Sequence, residues 1–427
     1  MRKSKRVYVQ SFGCPTNFAD GEVIVGCLSE SEFKVVSRVE DADILVYNTC
    51  AVKTPTENRM IKILKKAPNS KKVVVTGCLP LINFDRLKRE VRFDGVVGPS
   101  SGARIVETIR KVERGEKVID LRRGMKPSYN LPIIRRNRVT AILPISYGCL
   151  GRCSYCCVRF AREKLRSFTV DEIKRRMRED LKAGAKEVWL TSQDAGCYGR
   201  DIGTSLTSLL KEVVRVEEKF YIRVGMMNPN YAVKMLDDLI DVYKNERVYK
   251  FLHIPVQSGD DEVLKRMNRY YSVEDFKEVI SSFRDEIPDI TIATDIICGF
   301  PEESEEAFRN SIDLVREVKP DVLNISRFFP RPGTPALGMR QLPGWKIKER
   351  SRIMSELFRE IRIEKNRPWL HWRGKILIDE KGKNGSWIGR NFAYKPIVIK
   401  GGKNLLGEFL TVQVKRVHPI YLYAETV

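Results

Sequence analysis

Hydrophobic runs alternate with helix-like patterns over the first quarter of the chain. Four of the runs are short and continuous, which is typical of strands buried on both faces of a parallel sheet. These runs cover residues 7–11, 44–48, 73–76 and 95–98. The pattern therefore predicts an N-terminal α/β domain over residues 1–111, built on an open parallel sheet.

A second series of strand and helix patterns covers residues 139–345, with helical patterns such as 170–183 and 304–318. Six strands are predicted there, at residues 139–144, 187–190, 221–224, 251–255, 290–297 and 322–328. Six such repeats predict a partial (β/α)6 barrel that stays open, short of the closed eight-fold form. Functional side chains are expected at the carboxyl ends of its strands.

The remaining segments follow other patterns. Residues 112–138 lose apolar periodicity and combine glycine (Gly124 among them), proline and several arginines, which predicts a basic linker. A helix is predicted at about 346–364, within a connecting segment 346–366. Residues 367–427 are short β-like pieces separated by glycines, which indicates a small antiparallel β-barrel.

The charge balance favours a polyanionic partner. The 427 residues include 77 Lys and Arg against 55 Asp and Glu, a formal net charge of +22. Nucleic acid is the simplest such partner, and the alternative is a solvated surface adapted to heat or salt. The segment 367–427 has 11 Lys and Arg against 4 Asp and Glu. Its aromatic residues Trp387, Phe392 and Tyr394 are suited either to stacking on bases or to a barrel core.

The ten cysteines are expected to be metal ligands or core residues. The sequence shows no apolar signal segment and no membrane-spanning run, which predicts a cytoplasmic, reducing compartment. Disulfides are not expected there.

Cys149, Cys153 and Cys156, here called the central triad, are the most informative group. Three thiolates at this spacing can ligate three irons of a four-iron cluster and leave the fourth iron open to a small molecule. The alternative is a zinc knuckle. Structural zinc takes four ligands, and no fourth Cys or His stands at a suitable local spacing. Cys157 is expected to point elsewhere.

Cys14, Cys50 and Cys78, here called the N-terminal trio, each follow one of the first three predicted strands. Because the carboxyl ends of parallel strands share one edge of a sheet, these thiols are expected to converge in space. The alternative is three unrelated core cysteines. Cys27 falls within a helical pattern and is interpreted as a core residue.

With Tyr155 before its last cysteine and a strand leading into it, the central triad resembles the radical S-adenosylmethionine (SAM) superfamily. The whole chain resembles the methylthiotransferases of that superfamily. Five motifs support this likeness, at residues 11–17, 48–50, 76–78, 253–258 and 327–335. Residues 189–203 and 293–301 are similar to the archaeal and eukaryotic branch, which modifies N6-threonylcarbamoyladenosine on the 3′ side of the transfer-RNA anticodon. The tail resembles the TRAM domain, an RNA-binding barrel.

The resemblance implies two [4Fe-4S] clusters and SAM as cofactors. The central triad would hold the SAM-cleaving cluster, and the N-terminal trio would hold an auxiliary cluster that carries the sulfur. One SAM would methylate that sulfur, and a second would yield the radical that abstracts hydrogen from adenine C2. The implied partners are the transfer-RNA anticodon stem-loop and an electron donor of the flavodoxin or ferredoxin type. The sulfur donor is not identified, and no membrane is implied.

Polar residues after the predicted barrel strands are the candidates for contact with SAM or the nucleoside. They are Ser192, Gln193, Asp194, Gln257, Ser258 and Asp295. Asp295 is expected to be paired if it is buried, and both a structural Asp–Arg pair and a ligand role stay open. His253 is interpreted as a structural residue.

Basic residues of the last barrel strand and the tail are the candidates for RNA contact, since a guanidinium fork suits a phosphate or the substrate carboxylate. They are Arg327, Arg331, Lys375, Arg390, Lys395 and Lys415.

One departure from the family pattern concerns Glu163, which stands where the family commonly has glycine. Glycine at this position would allow an unusual backbone conformation or a close approach of a ligand to the backbone. The geometry of this loop is therefore in question. Two other functions stay open. The first is a methylthiotransferase for N6-isopentenyladenosine or for a ribosomal protein, although the positive tail argues against a protein substrate. The second is a non-catalytic RNA-binding iron–sulfur protein.

Overall fold

The structure, a computed structural model, describes residues 4–123, 126–402 and 404–427. Gly124 of the predicted linker and Lys403 of the basic tail lie outside these ranges. Within them, no helix is both long enough and apolar enough to span a membrane.

The chain divides into two compact units. The first contains the residues up to Arg136 together with Ile142–Phe168 and Phe329–Gly338. The second contains Asn137–Ala141, Thr169–Phe328 and Met339–Val427. The central triad and the N-terminal trio therefore belong to the same unit, and the tail belongs to the unit that contains most of the central repeats.

The strands are numbered in chain order. They are β1 Arg6–Ser11, β2 Lys34–Val36, β3 Ile44–Thr49, β4 Lys72–Gly77, β5 Gly95–Val97, β6 Val118–Asp120, β7 Thr140–Pro144, β8 Ser146–Tyr147, β9 Arg166–Ser167, β10 Glu187–Thr191, β11 Tyr221–Val224, β12 Phe251–His253, β13 Thr291–Cys298, β14 Val322–Arg327, β15 Arg373–Lys381, β16 Ser386–Arg390, β17 Pro396–Lys400, β18 Phe409–Val417 and β19 Leu422–Thr426.

The helices connect most of the strands of the βα regions. They are α1 Pro15–Ser29, α2 Thr54–Lys65, α3 Leu79–Ile82, α4 Phe84–Glu90, α5 Arg104–Glu113, α6 Val158–Arg162, α7 Val170–Lys182, α8 Leu206–Val213, α9 Pro229–Ala232, α10 Leu236–Lys244, α11 Asp261–Arg266, α12 Val273–Glu286, α13 Glu305–Val318 and α14 Gly344–Asn366.

The first unit is built on a six-stranded parallel sheet in the order β2-β1-β3-β4-β5-β6. Successive side chains of β3 enter different hydrophobic clusters, because neighbouring residues of a strand point to opposite faces. Leu45 packs in the cluster that contains Leu64 of α2. Val46 packs in the cluster that contains Ile24 of α1 and Ile109 of α5. Helices thus cover both faces, and the predicted open parallel sheet is confirmed.

Two strands of this sheet have no counterpart in the sequence prediction. β2 pairs with β1, and β6 pairs with β5 although it lies inside the segment 112–138 that was expected to be a linker. Each strand has three residues, which is too short for a hydrophobic period to stand out. Their pairing with longer or buried neighbours selects the extended conformation.

The second unit contains the central βα repeats. β10 and β11 pair in parallel beside β7, of which Thr140 and Ala141 belong to this unit, and β12, β13 and β14 form a second parallel sheet. An isolated bridge between Ile222 and Val248 links β11 to the segment before β12. The six predicted strands thus follow one another in spatial order, which confirms the open βα architecture.

The tail forms a closed five-stranded barrel in the order β15-β16-β17-β19-β18. Its core contains Trp387, which is 8 % exposed, together with the fully buried Ile397 and Val414. The expected small barrel is confirmed, and Trp387 is a core residue rather than a free stacking surface. β19 was not predicted.

A buried ion pair fastens the barrel to the βα repeats of the second unit. Lys395 Nζ lies 2.7 Å from Asp321 Oδ1 just before β14, and both side chains are almost fully buried. Within the barrel, Arg390 Nε binds Asp379 Oδ2 at 3.1 Å. Burial and then the Asp379 charge raise the pKa of Glu187, the first residue of β10, to about 7. Because unpaired buried charges are costly, the Lys395–Asp321 pair ties the barrel to the repeats.

Candidate active site

The N-terminal trio stands at the carboxyl edge of the parallel sheet, as the pattern of strands and cysteines predicts. Cys14 begins α1 after β1, Cys50 follows β3 directly, and Cys78 begins α3 after β4. The backbone N–H of Cys78 donates to the carbonyl of Thr49 at 2.9 Å. Backbone bonding between neighbouring strands therefore continues up to the cysteines and fixes the relative positions of Cys50 and Cys78.

Gly13 allows Cys14 to approach Cys50. Its φ is +106°, and a Cβ added there would lie 2.6 Å from the Cys50 Cβ and 2.9 Å from the Cys50 Sγ. A side chain at this position would occupy the space beside the thiol.

Two asparagines hold the loops that contain the trio. Asn17 Nδ2 donates to the carbonyl of Phe12 at 2.5 Å and to that of Asn48 at 3.3 Å. Asn48 Nδ2 in turn donates to the carbonyl of Asn17 at 2.6 Å. Both side chains are 1 % exposed. This buried, reciprocal pair ties the start of α1 to the end of β3.

The thiols of the trio lie close enough for their charges to interact. Burial raises the pKa of Cys78 to about 12, while the guanidinium of Arg162 opposes this rise and Cys14 and Cys50 add to it. Burial also raises the pKa of Cys50. Cys14 is exposed. Three converging thiols with one open to solvent suit a metal cluster that keeps one position for an external ligand.

The central triad occupies a loop after β8 in the same unit, and its three cysteines are partly exposed. The backbone N–H of Gly151 donates to Cys149 Sγ at 3.1 Å. A Cβ at Gly151 would lie 3.2 Å from Cys149 Sγ and 3.8 Å from Cys153 Sγ, so the missing side chain leaves a cradle beside both thiols. This donor set and cradle fit a four-iron cluster with three protein ligands.

Cys157 lies apart from this arrangement, as predicted. It is 1 % exposed, and its Sγ lies 3.8 Å from the carbonyl of Ala51 and 3.7 Å from that of Val52. Burial raises the pKa of this thiol, and the Arg331 guanidinium opposes the rise. Cys157 is a packing residue.

Glu163 supports the central triad in a strained conformation. Its φ is 55° and its ψ is −141°, a region that glycine occupies readily and other residues rarely adopt. Its carbonyl accepts a hydrogen bond from the backbone N–H of Cys149 at 3.2 Å. The loop thus keeps the geometry that glycine would provide, at a cost in conformational energy.

Replacement of Glu163 by glycine should therefore stabilise the protein by about 1 kcal/mol. A non-glycine residue in such a region costs about 1–3 kcal/mol of stability. Glycine removes this strain, but part of the gain is offset because glycine loses more conformational entropy on folding. Denaturant unfolding of Glu163→Gly and Glu163→Ala measures this, because the alanine variant removes the side chain but keeps the strain. Equal stability of the two variants would contradict the assignment of strain.

Arg162 is a residue of this region that sequence reasoning missed. It is 2 % exposed, and its guanidinium lies near enough to the N-terminal trio for its charge to interact with Cys78 and Cys14. Its charge partner is Asp20 of α1, at 2.7 Å. The sequence gives one indication of its importance: Arg162 directly precedes Glu163, which stands where the family commonly has glycine.

Arg331 does not serve as an RNA contact, contrary to the sequence-based expectation. It is 4 % exposed and forms an ion pair with Glu57, which is 1 % exposed. It also donates to the carbonyl of Ala51 at 2.8 Å. A buried guanidinium with these partners cannot reach a phosphate, so it fixes the loop after Cys50 instead.

In the second unit, Ser192, Gln193 and Asp194 follow β10, as expected. Asp194 is 3 % exposed, and its Oδ1 accepts from the backbone N–H groups of Gly196 at 3.0 Å and Asn228 at 3.1 Å. Burial raises the pKa of Asp194 to about 6, and these two backbone donors are among the groups that oppose the rise. Asp194 thus joins the loops after β10 and β11. Ser192 Oγ is buried and has no hydrogen-bond partner among the described residues.

Gln257 and Ser258 differ in their exposure to solvent. Gln257 is partly exposed and has a φ of 71°, and its backbone N–H donates to the carbonyl of Asp295 at 2.8 Å. Ser258 is 1 % exposed, and its Oγ lies 3.4 Å from Ser311 Oγ and accepts from the N–H of Asp260. The expectation of a SAM contact is corrected for Ser258, because its hydroxyl is turned into the protein.

Asp295 is paired with His253 rather than with an arginine. Asp295 Oδ2 lies 2.5 Å from His253 Nε2, and both side chains are partly buried. His253 is thus a partnered histidine, as expected, and the pair lies on the neighbouring strands β12 and β13.

The basic candidates of the second unit fall into two sets. Arg327, Lys375 and Lys415 are exposed. Lys395 is almost fully buried in its ion pair with Asp321, so its expected RNA contact is corrected. Arg390 is 20 % exposed and its Nε is engaged by Asp379, and its RNA contact stays a prediction.

Three family models match the chain. They describe the radical SAM superfamily over residues 143–315, the uncharacterized protein family UPF0004 over residues 6–98, and the TRAM domain over residues 375–427. The three matches cover the central repeats, the sheet of the first unit and the C-terminal barrel.

Relatives that match nearly all of this chain have closely similar names. A Pyrococcus horikoshii protein named "Probable threonylcarbamoyladenosine tRNA methylthiotransferase" is 44 % identical, with 99 % of each chain covered. The Homo sapiens protein named "Threonylcarbamoyladenosine tRNA methylthiotransferase" is 36 % identical, with 96 % of this chain and 72 % of that protein covered.

Solved structures share the fold at low identity. The radical SAM methyltransferase TsrM from Kitasatospora setae has a TM-score of 0.57 and 15 % identity, with 80 % of this chain and 77 % of that chain covered. This similarity concerns the fold alone. The relatives and the family models place the chain in the threonylcarbamoyladenosine tRNA methylthiotransferase family of radical SAM enzymes.

Proposed function

We propose that this protein converts N6-threonylcarbamoyladenosine on the 3′ side of the transfer-RNA anticodon to its 2-methylthio derivative. The observation that carries the proposal is the presence of two three-cysteine groups in one compact unit, in a chain that matches the Pyrococcus horikoshii relative over 99 % of each chain. Neither a zinc knuckle nor a set of unrelated core cysteines accounts for both groups.

Radical SAM enzymes use SAM and a [4Fe-4S] cluster, and the central triad provides the thiols for that cluster. We assign a second [4Fe-4S] cluster to the N-terminal trio. When bound, the two clusters supply SAM cleavage and a sulfur-carrying iron. An electron donor of the flavodoxin or ferredoxin type fits the need for single electrons, and the source of sulfur stays open.

The protein's own residues orient these groups. Gly13 and Gly151 leave the space beside the thiols free, and the carbonyl of Glu163 holds the backbone of Cys149. Ser192, with its unpartnered hydroxyl among the described residues, and Gln257 are the strand-end groups that we assign to SAM or the nucleoside.

Arg327 is the candidate for the substrate carboxylate. It ends β14, is exposed, and its Nε donates to Ser351 Oγ at 2.9 Å. Among the residues that the structure describes, its two terminal guanidinium nitrogens stay available for a bidentate ligand. The threonylcarbamoyl group carries such a carboxylate, whereas the isopentenyl group does not.

Mass spectrometry of transfer-RNA nucleosides tests the proposal. Anaerobically reconstituted protein, SAM, a reductant and transfer RNA that contains N6-threonylcarbamoyladenosine should yield the 2-methylthio nucleoside. Transfer RNA with N6-isopentenyladenosine should stay unmodified. Product only from the second substrate, or from neither, would contradict the proposal.

An exposed basic face of the barrel supports RNA binding. Arg373 and Lys375 are two positions apart on β15, so their side chains point outward on the same face. Arg373 stands opposite Gln413 of β18, and Lys415 is the next outward residue of that strand. Outward cations on adjacent strands provide a surface for phosphates.

Replacement of Arg373, Lys375 and Lys415 by alanine should weaken transfer-RNA binding and flatten its salt dependence. Each lost phosphate contact lowers the slope of log K against log salt by about 0.7, so the triple variant should lose about 2. Filter binding at several salt concentrations measures the slope. Lys62, Lys66 and Lys88, exposed on or beside α2 and α4, form a matched control that removes the same charge. Equal slopes for the two triple variants would remove the barrel face from the binding surface.

A further inference from the structure

Arg162 places a buried positive charge against the N-terminal trio. It ends α6, six residues after Cys156 in the chain, and is 2 % exposed. Its Nη1 lies 2.7 Å from Asp20 Oδ2 and donates to Ser100 Oγ at 2.8 Å. Its Nη2 donates to Asn17 Oδ1 at 3.1 Å. These contacts fix the plane of the guanidinium.

The same guanidinium faces the cysteines. Its charge interacts with those of Cys78 and Cys14. Asn17, which orients Arg162, is also the residue that ties the start of α1 to the end of β3. Hydrogen bonds through Asn17 therefore join the arginine to the loops of Cys14 and Cys50.

Asp20 is the counter-charge of this arrangement. It is 3 % exposed, and its Oδ1 accepts from the hydroxyl of Tyr147 at 2.8 Å and lies 3.4 Å from Ser100 Oγ. The cation is thus held between one carboxylate and the trio, in a region where charges are poorly screened.

We propose that Arg162 is a positioning residue that stabilises the negative charge of the cluster on the N-terminal trio and thereby raises its reduction potential. This inference rests on the second cluster of the proposed function. A four-iron cluster with three thiolates has one net negative charge when oxidised and two when reduced, so a fixed cation favours the reduced form. Asp20 acts in the opposite sense.

The test uses the full chain with the central triad changed to alanine, so that the trio is the remaining cluster site. Iron and sulfide analysis establishes the cluster, and redox titration followed by electron paramagnetic resonance gives its potential. Arg162→Gln, Arg162→Lys and Asp20→Asn are compared in this background. Arg104→Gln is the matched control, because Arg104 pairs with Asp120 in the same unit and is 14 % exposed.

We expect Arg162→Gln to lower the potential by about 59 mV, which is a tenfold change for one electron, and Asp20→Asn to raise it. Arg162→Lys should stay near the parent value, and Arg104→Gln should not shift it. Opposite shifts at the two charges are a signature that a purely structural ion pair would not produce. Unchanged potentials in both Arg162→Gln and Asp20→Asn would overturn the proposal.

Two further outcomes are decisive. If Arg162→Gln folds but holds no cluster, a cluster restored in Arg162→Lys supports the proposal. If Arg162→Lys holds no cluster either, and the potential of Asp20→Asn equals that of the parent, the proposal is overturned. If the parent background itself binds no iron–sulfur cluster, the second cluster of the proposed function fails. That result is distinct from a cluster that is present and insensitive to Arg162.

Discussion

Replacement of Cys149, Cys153 and Cys156 by alanine should abolish reductive cleavage of SAM, with a loss of several orders of magnitude. The three thiols are partly exposed, and the space at Gly151 lies beside those of Cys149 and Cys153. On the proposed assignment, no cluster can be held there without them. Transfer-RNA binding should change little, because the exposed basic face lies on the C-terminal barrel of the other unit. The measurement is 5′-deoxyadenosine released with dithionite, alongside RNA affinity.

Cys27→Ala is the control for the loss of a thiol. Cys27 is 7 % exposed and packs with Ile24 and Leu28, so this variant should keep its cleavage activity. Cleavage by the triple variant at the parental rate would defeat the assignment of the central triad.

Replacement of Arg350 by alanine should destabilise the protein by about 3–5 kcal/mol, the usual cost of leaving one partner of a buried ion pair alone. Arg350 of α14 and Glu303 are 2 % and 1 % exposed, with Arg350 Nη1 2.5 Å from Glu303 Oε2. Glu303 also accepts from the backbone N–H of Gly299 after β13. The pair therefore holds α14 to the end of β13. Denaturant unfolding measures the free energy of unfolding that the variant loses.

Arg352→Ala provides the comparison on the same helix. Its side chain is 62 % exposed and pairs with Glu356 one turn along, so its loss should cost less than about 1 kcal/mol. Equal destabilisation by the two variants would show that the cost comes from the helix position rather than from the buried pair.

Elements with a clear hydrophobic pattern could be predicted from the sequence. β3 begins with the apolar run 44–47, and β13 is rich in β-branched residues. α13 begins at Glu305 after the capping residue Ser304, so its start follows from local chemistry. The convergence of the N-terminal trio followed from one rule about parallel sheets.

Contacts between distant residues could not be predicted in the same way. Arg162 and Asn17 are separated by 145 positions, and Arg331 and Glu57 by 274. An arginine on a polar loop and an arginine in a buried pair have the same appearance in a sequence. For this reason the sequence alone predicts RNA contact for Arg331 and Lys395, which are buried in ion pairs, and does not indicate the position of Arg162.

The pairing of Lys395 with Asp321 has a consequence for protein engineering. A chimaera that joins the first 366 residues to an RNA-binding module from elsewhere would retain the carboxylate before β14 and lose the ammonium that neutralises it. An exchange of C-terminal modules therefore requires a lysine in the new module at the position that matches Lys395. The alternative is to replace Asp321 by an uncharged residue in the same chimaera.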